Sequence, residues 1–251
     1  MQKLCLLLLW MLTSALVALG QGGPPLLTDD PGTPGNHNWE INAAYTVENR
    51  AKESEDEAPI LDINYGVGER LQLKLELPWI AQYENTESHS GIGNSLLGVK
   101  WRFLDDPKHE LQISTYPQVE INNPGRSVQR DLVERGPGFL LPVEITKKAG
   151  PIELNVESGY WFQRTATRRW MAGLAAGHEI NHRLELLTEV YSIGNGSGRD
   201  YTWDFGGRLG LGGPVTLLLM SGRSFSSAAS GQPTLIGYFG LQFQLPKRSG
   251  Q

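Results

Sequence analysis

The stretch Leu71–Leu77, reading LQLKLEL, alternates apolar and polar residues without exception. A period of two predicts a β-strand with one apolar and one polar face. Leu71, Leu73, Leu75 and Leu77 then point one way, and Gln72, Lys74 and Glu76 the other. The alternation recurs along most of the chain. Trp39, Ile41, Ala43, Tyr45 and Val47 oppose Glu40, Asn42, Thr46 and Glu48. Leu61, Ile63 and Tyr65 oppose Asp62 and Asn64, and Leu97, Val99, Trp101 and Phe103 oppose Lys100 and Arg102. Further strands are predicted at Leu111–Ser114, Phe139–Thr146, Ile152–Tyr160, Trp170–Glu179, Leu184–Val190 and Trp203–Leu209. One more starts at Val215, apolar on both faces, and the last runs from Leu235 to Leu245. That makes about twelve, an even number, as single-chain bacterial membrane barrels have.

The connections carry a second signal. Five are short, at 66–70, 105–109, 147–151, 180–183 and 212–214. Six are longer and polar: Arg50–Pro59, Trp79–Ile92, Asn122–Pro137, Gln163–Arg169, Ser192–Asp200 and Arg223–Pro233. Short and long alternate strictly, which an up-and-down outer-membrane barrel with short periplasmic turns and longer external loops requires. A soluble β-sandwich gives no reason for it. The expected fold is therefore all-β, a single up-and-down antiparallel transmembrane β-barrel of about 12 strands. Aromatic residues near the strand ends suit an interfacial girdle: Trp39, Trp79, Trp101, Trp161, Trp170, Tyr191, Tyr201, Trp203 and Tyr238.

The first residues look like an export signal. Lys3 precedes the apolar run LCLLLLWMLTSALVAL, which Gly20 closes with the small residue Ala18 two positions before it. A positive start, an apolar middle and a small-residue end predict a cleaved signal peptide over 1–20. The run is short for a spanning helix, which needs roughly 18–20 apolar residues. Residues 21–38 form a leader rich in Gly and Pro, 39–245 the barrel, and 246–251 a tail. The leader either enters the barrel mouth as a partial plug or stays a mobile lead-in to the first strand. Loss of the signal removes Cys5, the one cysteine, so no disulfide framework is expected.

Composition adds little against this reading. The mean hydropathy of −0.30 would suit a soluble protein. A membrane barrel, however, needs an apolar residue only at every second strand position. Twenty-two basic against twenty-seven acidic residues give a formal charge of −5, which argues against a dedicated nucleic-acid binder. The expected setting is the outer membrane of a Gram-negative-type bacterium, with outer-membrane lipid and a small-molecule solute as partners.

The polar faces hold the candidate functional residues. Glu40, Glu48, Asp62, Lys74, Glu76, Lys100, Arg102, Glu144, Glu153, Glu157, Glu185, Glu189, Asp204 and Arg208 should line the lumen. Such charges either tune a conducting pore or pair into a filling of the bore. No cofactor and no catalytic or metal site is expected. His178 and His182 lack the HExxH grammar of a zinc helix. Ser158 and His178 fall on neighbouring strands of the outward set, so a lipid hydrolase is the enzymatic alternative, without a visible third group. A non-conducting docking barrel, acting through loop Asn122–Pro137, is the structural one.

The end of the chain, YFGLQFQL at 238–245, resembles the C-terminal assembly signal of outer-membrane proteins, with Gly240, Phe243 and Leu245 in its places. That resemblance implies the barrel-assembly machinery as a partner; the added tail PKRSGQ departs from it. The segments LLTDDPGTPGNHNWEINAAYTVE, YGVGERLQLKLELPW, GIGNSLLGVKWRF and HEINHRLELLTEVY resemble the MetA-pathway of phenol degradation family of transporters. The resemblance implies a role beside aromatic catabolism, in uptake of hydrophobic compounds.

Overall fold

The computed structural model describes residues 23–50, 53–84, 87–123, 126–163, 168–195, 198–226 and 233–246. The signal peptide expected at 1–20 and all but the first residue of the tail lie outside the described residues. The strands are β1 (Trp39–Arg50), β2 (Glu53–Val67), β3 (Leu71–Glu84), β4 (Glu87–Ile92), β5 (Ser95–Asp106), β6 (Leu111–Thr115) and β7 (Gln118–Ile121). They continue with β8 (Gly138–Ala149), β9 (Ile152–Gln163), β10 (Arg169–Asn181), β11 (Leu184–Gly194), β12 (Arg199–Gly212), β13 (Val215–Ser226) and β14 (Pro233–Leu245). One helical turn, α1 (Arg126–Gln129), lies between β7 and β8.

Every pairing is antiparallel, and β1 pairs with β2 on one side and β14 on the other, so the sheet closes on itself. The strands β4 and β5 form one stave interrupted at Gly93–Asn94, because β3 pairs with both. Likewise β6 and β7 form one stave between β5 and β8. Its break holds Pro117, which has no N–H to give the ladder. The fourteen strands thus make twelve staves. Closure leaves the barrel without edge strands and every stave with two neighbours, which is what a sheet in hydrocarbon requires.

All twelve strands expected from the alternation are present. The short turns lie at one end, where Trp39 pairs with both Tyr65 and Leu245. Gly68, Gly150 and Gly213 take φ near +60° there, at 65°, 65° and 58°, a conformation open to glycine at little steric cost. The opposite end differs from the expected picture at two links. The chain of Arg50–Pro59 and Trp79–Ile92 stays largely paired, as Glu57↔Ile80 and Tyr83↔Ser88 show. These links are mostly strand prolonged past the alternating stretches.

Burial is inverted relative to a water-soluble protein. Leu73 (45%), Val99 (45%), Leu174 (52%), Phe205 (55%) and Phe239 (54%) are exposed, while Lys100 (2%), Glu144 (0%) and Asp204 (1%) are buried. The outward apolar residues form a continuous belt, far larger than the patches that monomers in water expose. A hydrocarbon surround accounts for that belt and for the polar interior together. Of the aromatic residues assigned to the girdle, Trp39, Trp79, Trp101, Tyr201 and Trp203 are exposed on the outer face, and Trp170 shares its parity, partly covered. Trp161, Tyr191 and Tyr238 instead share the parity of buried inward residues. The Tyr191 hydroxyl lies against Met171 Sδ, and Tyr238 packs against the interior apolar cluster. Parity, not residue type, decides their side.

Candidate functional site

The inward face concentrates the polar side chains. Asp62, Lys100, Glu144, Glu153, Glu157, Glu185, Glu189 and Asp204 are buried, and Glu40, Glu48, Lys74, Glu76, Arg102 and Arg208 are partly so. Three groups of contacts divide most of them. On β2 and β3, Lys74 Nζ bridges Glu76 (2.9 Å) and Asp62 (3.5 Å), while Asn42 and Asn64 donate to the same Asp62 carboxylate. Gln72 links this group onward by donating to Asn64 Oδ1 (2.8 Å) and to the Tyr116 hydroxyl (3.1 Å).

The second group centres on Lys100. Its ammonium meets Asp29 (2.8 Å) and Glu144 (3.6 Å), donates to the Asp30 carbonyl, and lies 4.6 Å from the centre of the Tyr116 ring. Ser114 donates to the same Glu144 oxygen, Oε2, that Lys100 approaches. The third group is on the far wall, where Arg208 pairs with Glu185 at 3.1 Å and Lys148 approaches Glu153 at 3.9 Å. Arg102 belongs to the short-turn rim: it donates to the Glu69 carbonyl and pairs with Asp105.

The leader runs inside this lumen. Glu189 accepts the N–H groups of Leu27 (2.6 Å) and Thr28 (2.8 Å), one on each carboxylate oxygen, and Glu157 accepts that of Asp29 (2.9 Å). The Arg208 guanidinium donates to the carbonyls of Gly23 and Pro24. Bonds to an ionised partner are among the stronger ones a backbone can make. Close packing completes the fit. A Cβ on Gly66 would fall 1.8 Å from the Gly35 carbonyl oxygen, and one on Gly173 would fall 2.1 Å from Thr28 Oγ1. Leu26 packs into a cluster with Ala175, Leu187, Met220 and Ile236.

Glu157 and Glu189 lie five residues in from the short-turn ends of β9 and β11. At about 3.3 Å per residue and a strand tilt of roughly 40°, the leader reaches about 13 Å up the bore, near half the thickness of an apolar belt. Beside it remains a small polar cleft of about 40 Å³, bounded by Glu40, Asp62, Lys74, Lys100, Tyr116 and Arg208 on the wall and Asp29, Asp30 and Gly32 to Pro34 on the leader. The arrangement is a bore with a fitted stopper and a wet margin.

The lumen also holds residues that the expected set lacks. Tyr116, buried completely, sits at the break between β6 and β7, where no alternation is readable. Leu187 shares its parity with Glu185 and Glu189, and Met220 and Ile236 likewise face in; their apolar chemistry hid them. The enzymatic alternative loses its geometry. Ser158 pairs with Ala172 and His178 with Ile152, six residues apart along β10, or roughly 20 Å. Ser158 Oγ instead donates to the Met171 carbonyl, and His178 Nδ1 lies 2.9 Å from the Pro151 carbonyl. Among the described residues no group of three or more His, Cys, Asp or Glu could hold a metal ion.

No family model and no curated protein matches the chain, so the phenol-degradation family is not confirmed. Solved structures match its shape. The COG4313 outer membrane channel from Pseudomonas putida F1 superposes with a TM-score of 0.72 at 12% identity, covering 90% of this chain and 100% of that one. The KdgM porin gives a TM-score of 0.57 at 8% identity, covering 81% and 98%. The NanC porin gives 0.53 at 8% identity, covering 83% and 99%. At such identities the likeness shows the fold alone, a closed antiparallel barrel like those of these outer-membrane proteins.

Proposed function

We propose that this chain is an outer-membrane channel for small molecules, aromatic or hydrophobic ones among them, held shut in this state by its own leader. The observation that carries the reading is the leader inside a closed barrel with a polar lumen, bound by side chains of four different staves: Lys100, Glu157, Glu189 and Arg208. A barrel serving only as a wall can fill its bore with wall side chains. Here the filling is a separate segment, attached at one end through Trp39 and therefore removable without dismantling the sheet.

In this reading residues 1–20 direct export and are cut away. The barrel then spans 39–245 and is inserted by the barrel-assembly machinery acting on β14, whose Gly240, Phe243 and Leu245 carry the assembly pattern. Uptake of aromatic compounds, as the phenol-degradation resemblance implies, is the finer form of the proposal. A second reading, a sealed barrel that docks partners through its external loops, draws support from the tightness of the leader's fit at Gly66 and Gly173.

Liposome flux separates the two. The chain without residues 23–34, reconstituted in vesicles, should admit phenol-sized solutes faster than the intact chain does. Vesicles equally impermeable with either form would favour the sealed barrel.

A further inference from the structure

The wall behind the leader has an unusual cross-section. Ala175, Glu189, Asp204, Gly222 and Ile236 are successive register partners across β10 to β14. The next row toward the short turns reads Gly177, Leu187, Gly206, Met220 and Tyr238. Glycines facing inward make the wall concave, and Leu26 of the leader fills that recess.

Two carboxylates share the upper row on adjacent strands. Cross-strand partners have their Cβ atoms about 5 Å apart, and like charges placed so repel. Glu189 is satisfied by two leader N–H groups. Asp204 is 1% exposed, and among the described residues its carboxyl faces the Glu189 carboxyl while no cation and no N–H or hydroxyl donor reaches its oxygens. A buried carboxylate without a donor is costly, and the cost falls when a cation or a hydrogen-bond donor reaches it. The recess therefore offers an apolar floor, a carboxylate held by the leader and, against it, a second carboxyl that no cation meets.

We infer that this recess is a binding seat for a small apolar ammonium compound, and that Leu26 with the Leu27 and Thr28 N–H groups occupies it as a built-in substitute. The leader presents what such a ligand would present: a branched hydrocarbon for Ala175, Leu187 and Met220, and N–H donors for Glu189. An alkyl- or arylalkylammonium ion adds the positive charge that Asp204 lacks. The inference rests on the channel reading, since it names the solute class that the shut lumen would take.

Calorimetric titration of the full chain in detergent micelles tests it with two probes of equal size, 2-phenylethylammonium and 2-phenylethanol. The ammonium probe should bind about tenfold more tightly, as a charge-assisted bond to a buried carboxylate implies. Leu26→Ala, which loosens the competing leader, should tighten binding of both probes. Asp204→Asn, close to isosteric, should erase the difference between them while leaving the alcohol's binding in place. Heat-modifiable gel migration confirms that each variant is folded. Equal binding of the two probes, as a proton shared by the two carboxylates would give, overturns the inference, and so does a preference that survives Asp204→Asn. Equilibrium binding in micelles needs no conduction, so a barrel that passes nothing can still hold the seat, and a conducting barrel can lack it.

Discussion

Lys100 is the side chain on which the interior turns. At 2% exposure its ammonium gives up nearly all hydration, and Asp29, Glu144 and the Asp30 carbonyl replace it. Removing one member of a buried pair leaves the other charged and unmatched, at a cost of about 3–5 kcal/mol. Lys100→Met should lower unfolding stability by about that much in urea titrations of the vesicle-bound barrel, and should free the leader to an Asp-specific protease at Asp29 and Asp30. Acid acts on the same contact. Burial alone pushes the Asp29 carboxyl up, but the Lys100 and Lys74 ammonium groups outweigh it and hold the carboxyl below its ordinary range. A carboxyl depressed in the folded state stabilises above its unfolded pKa, and that contribution is lost as pH falls through the folded value. Asp30, pushed up by burial, works in the opposite sense: its contribution is present at low pH and lost as pH rises through its folded value. A spin label on Thr33→Cys should therefore stay immobile through mild acid and become mobile only below the usual aspartate range. Release near neutral pH would show that the Asp29–Lys100 pair does not hold the leader.

The elements show where sequence patterning informs and where it stops. Alternation is legible only while one face meets hydrocarbon and the other the lumen, as in LQLKLEL of β3. Beyond the belt both faces meet water, so Glu53–Glu57 of β2 reads as a polar loop although it pairs with Ile80–Glu84 of β3. Inward apolar residues were illegible for the opposite reason: Leu187 and Met220 pack against a segment distant in sequence, and no local period announces that contact. The groupings of the polar side chains were not readable from parity, because Lys100 meets a leader seventy-one positions away. The Asn122–Pro137 loop is another such case. Leu132, buried at 4%, would touch a Cβ at Gly91, and Ser127 donates to the Ile92 carbonyl. Leu132→Asp should loosen this loop alone: trypsin should cut faster at Arg126, Arg130 or Arg135 while heat-modifiable migration stays unchanged. Loss of that migration would mean the loop supports the stave beneath it.

At the scale of the whole molecule, an apolar exterior and a polar interior follow from one alternation wrapped into a cylinder. The two faces should then tolerate opposite substitutions. Leu174→Arg, on the outer face at 52% exposure, should destabilise the barrel by about 2–4 kcal/mol if that position lies near the bilayer midplane. The same variant would be nearly silent if that surface met water, which unfolding in lipid vesicles would reveal. The short-turn end carries the leader's root at Trp39, so closure from within needs only that a tethered segment fold back into the bore. That segment is held by polar contacts and by the packing of Leu26 rather than by the ladder, so the proposed opening would unzip no stave. Planar-bilayer recording of single molecules bears most directly on this. The intact chain should be nearly closed, and the chain lacking residues 23–34 should show steady open steps. Equal conductance from both forms, or silence from both, would contradict a channel stoppered by its own leader.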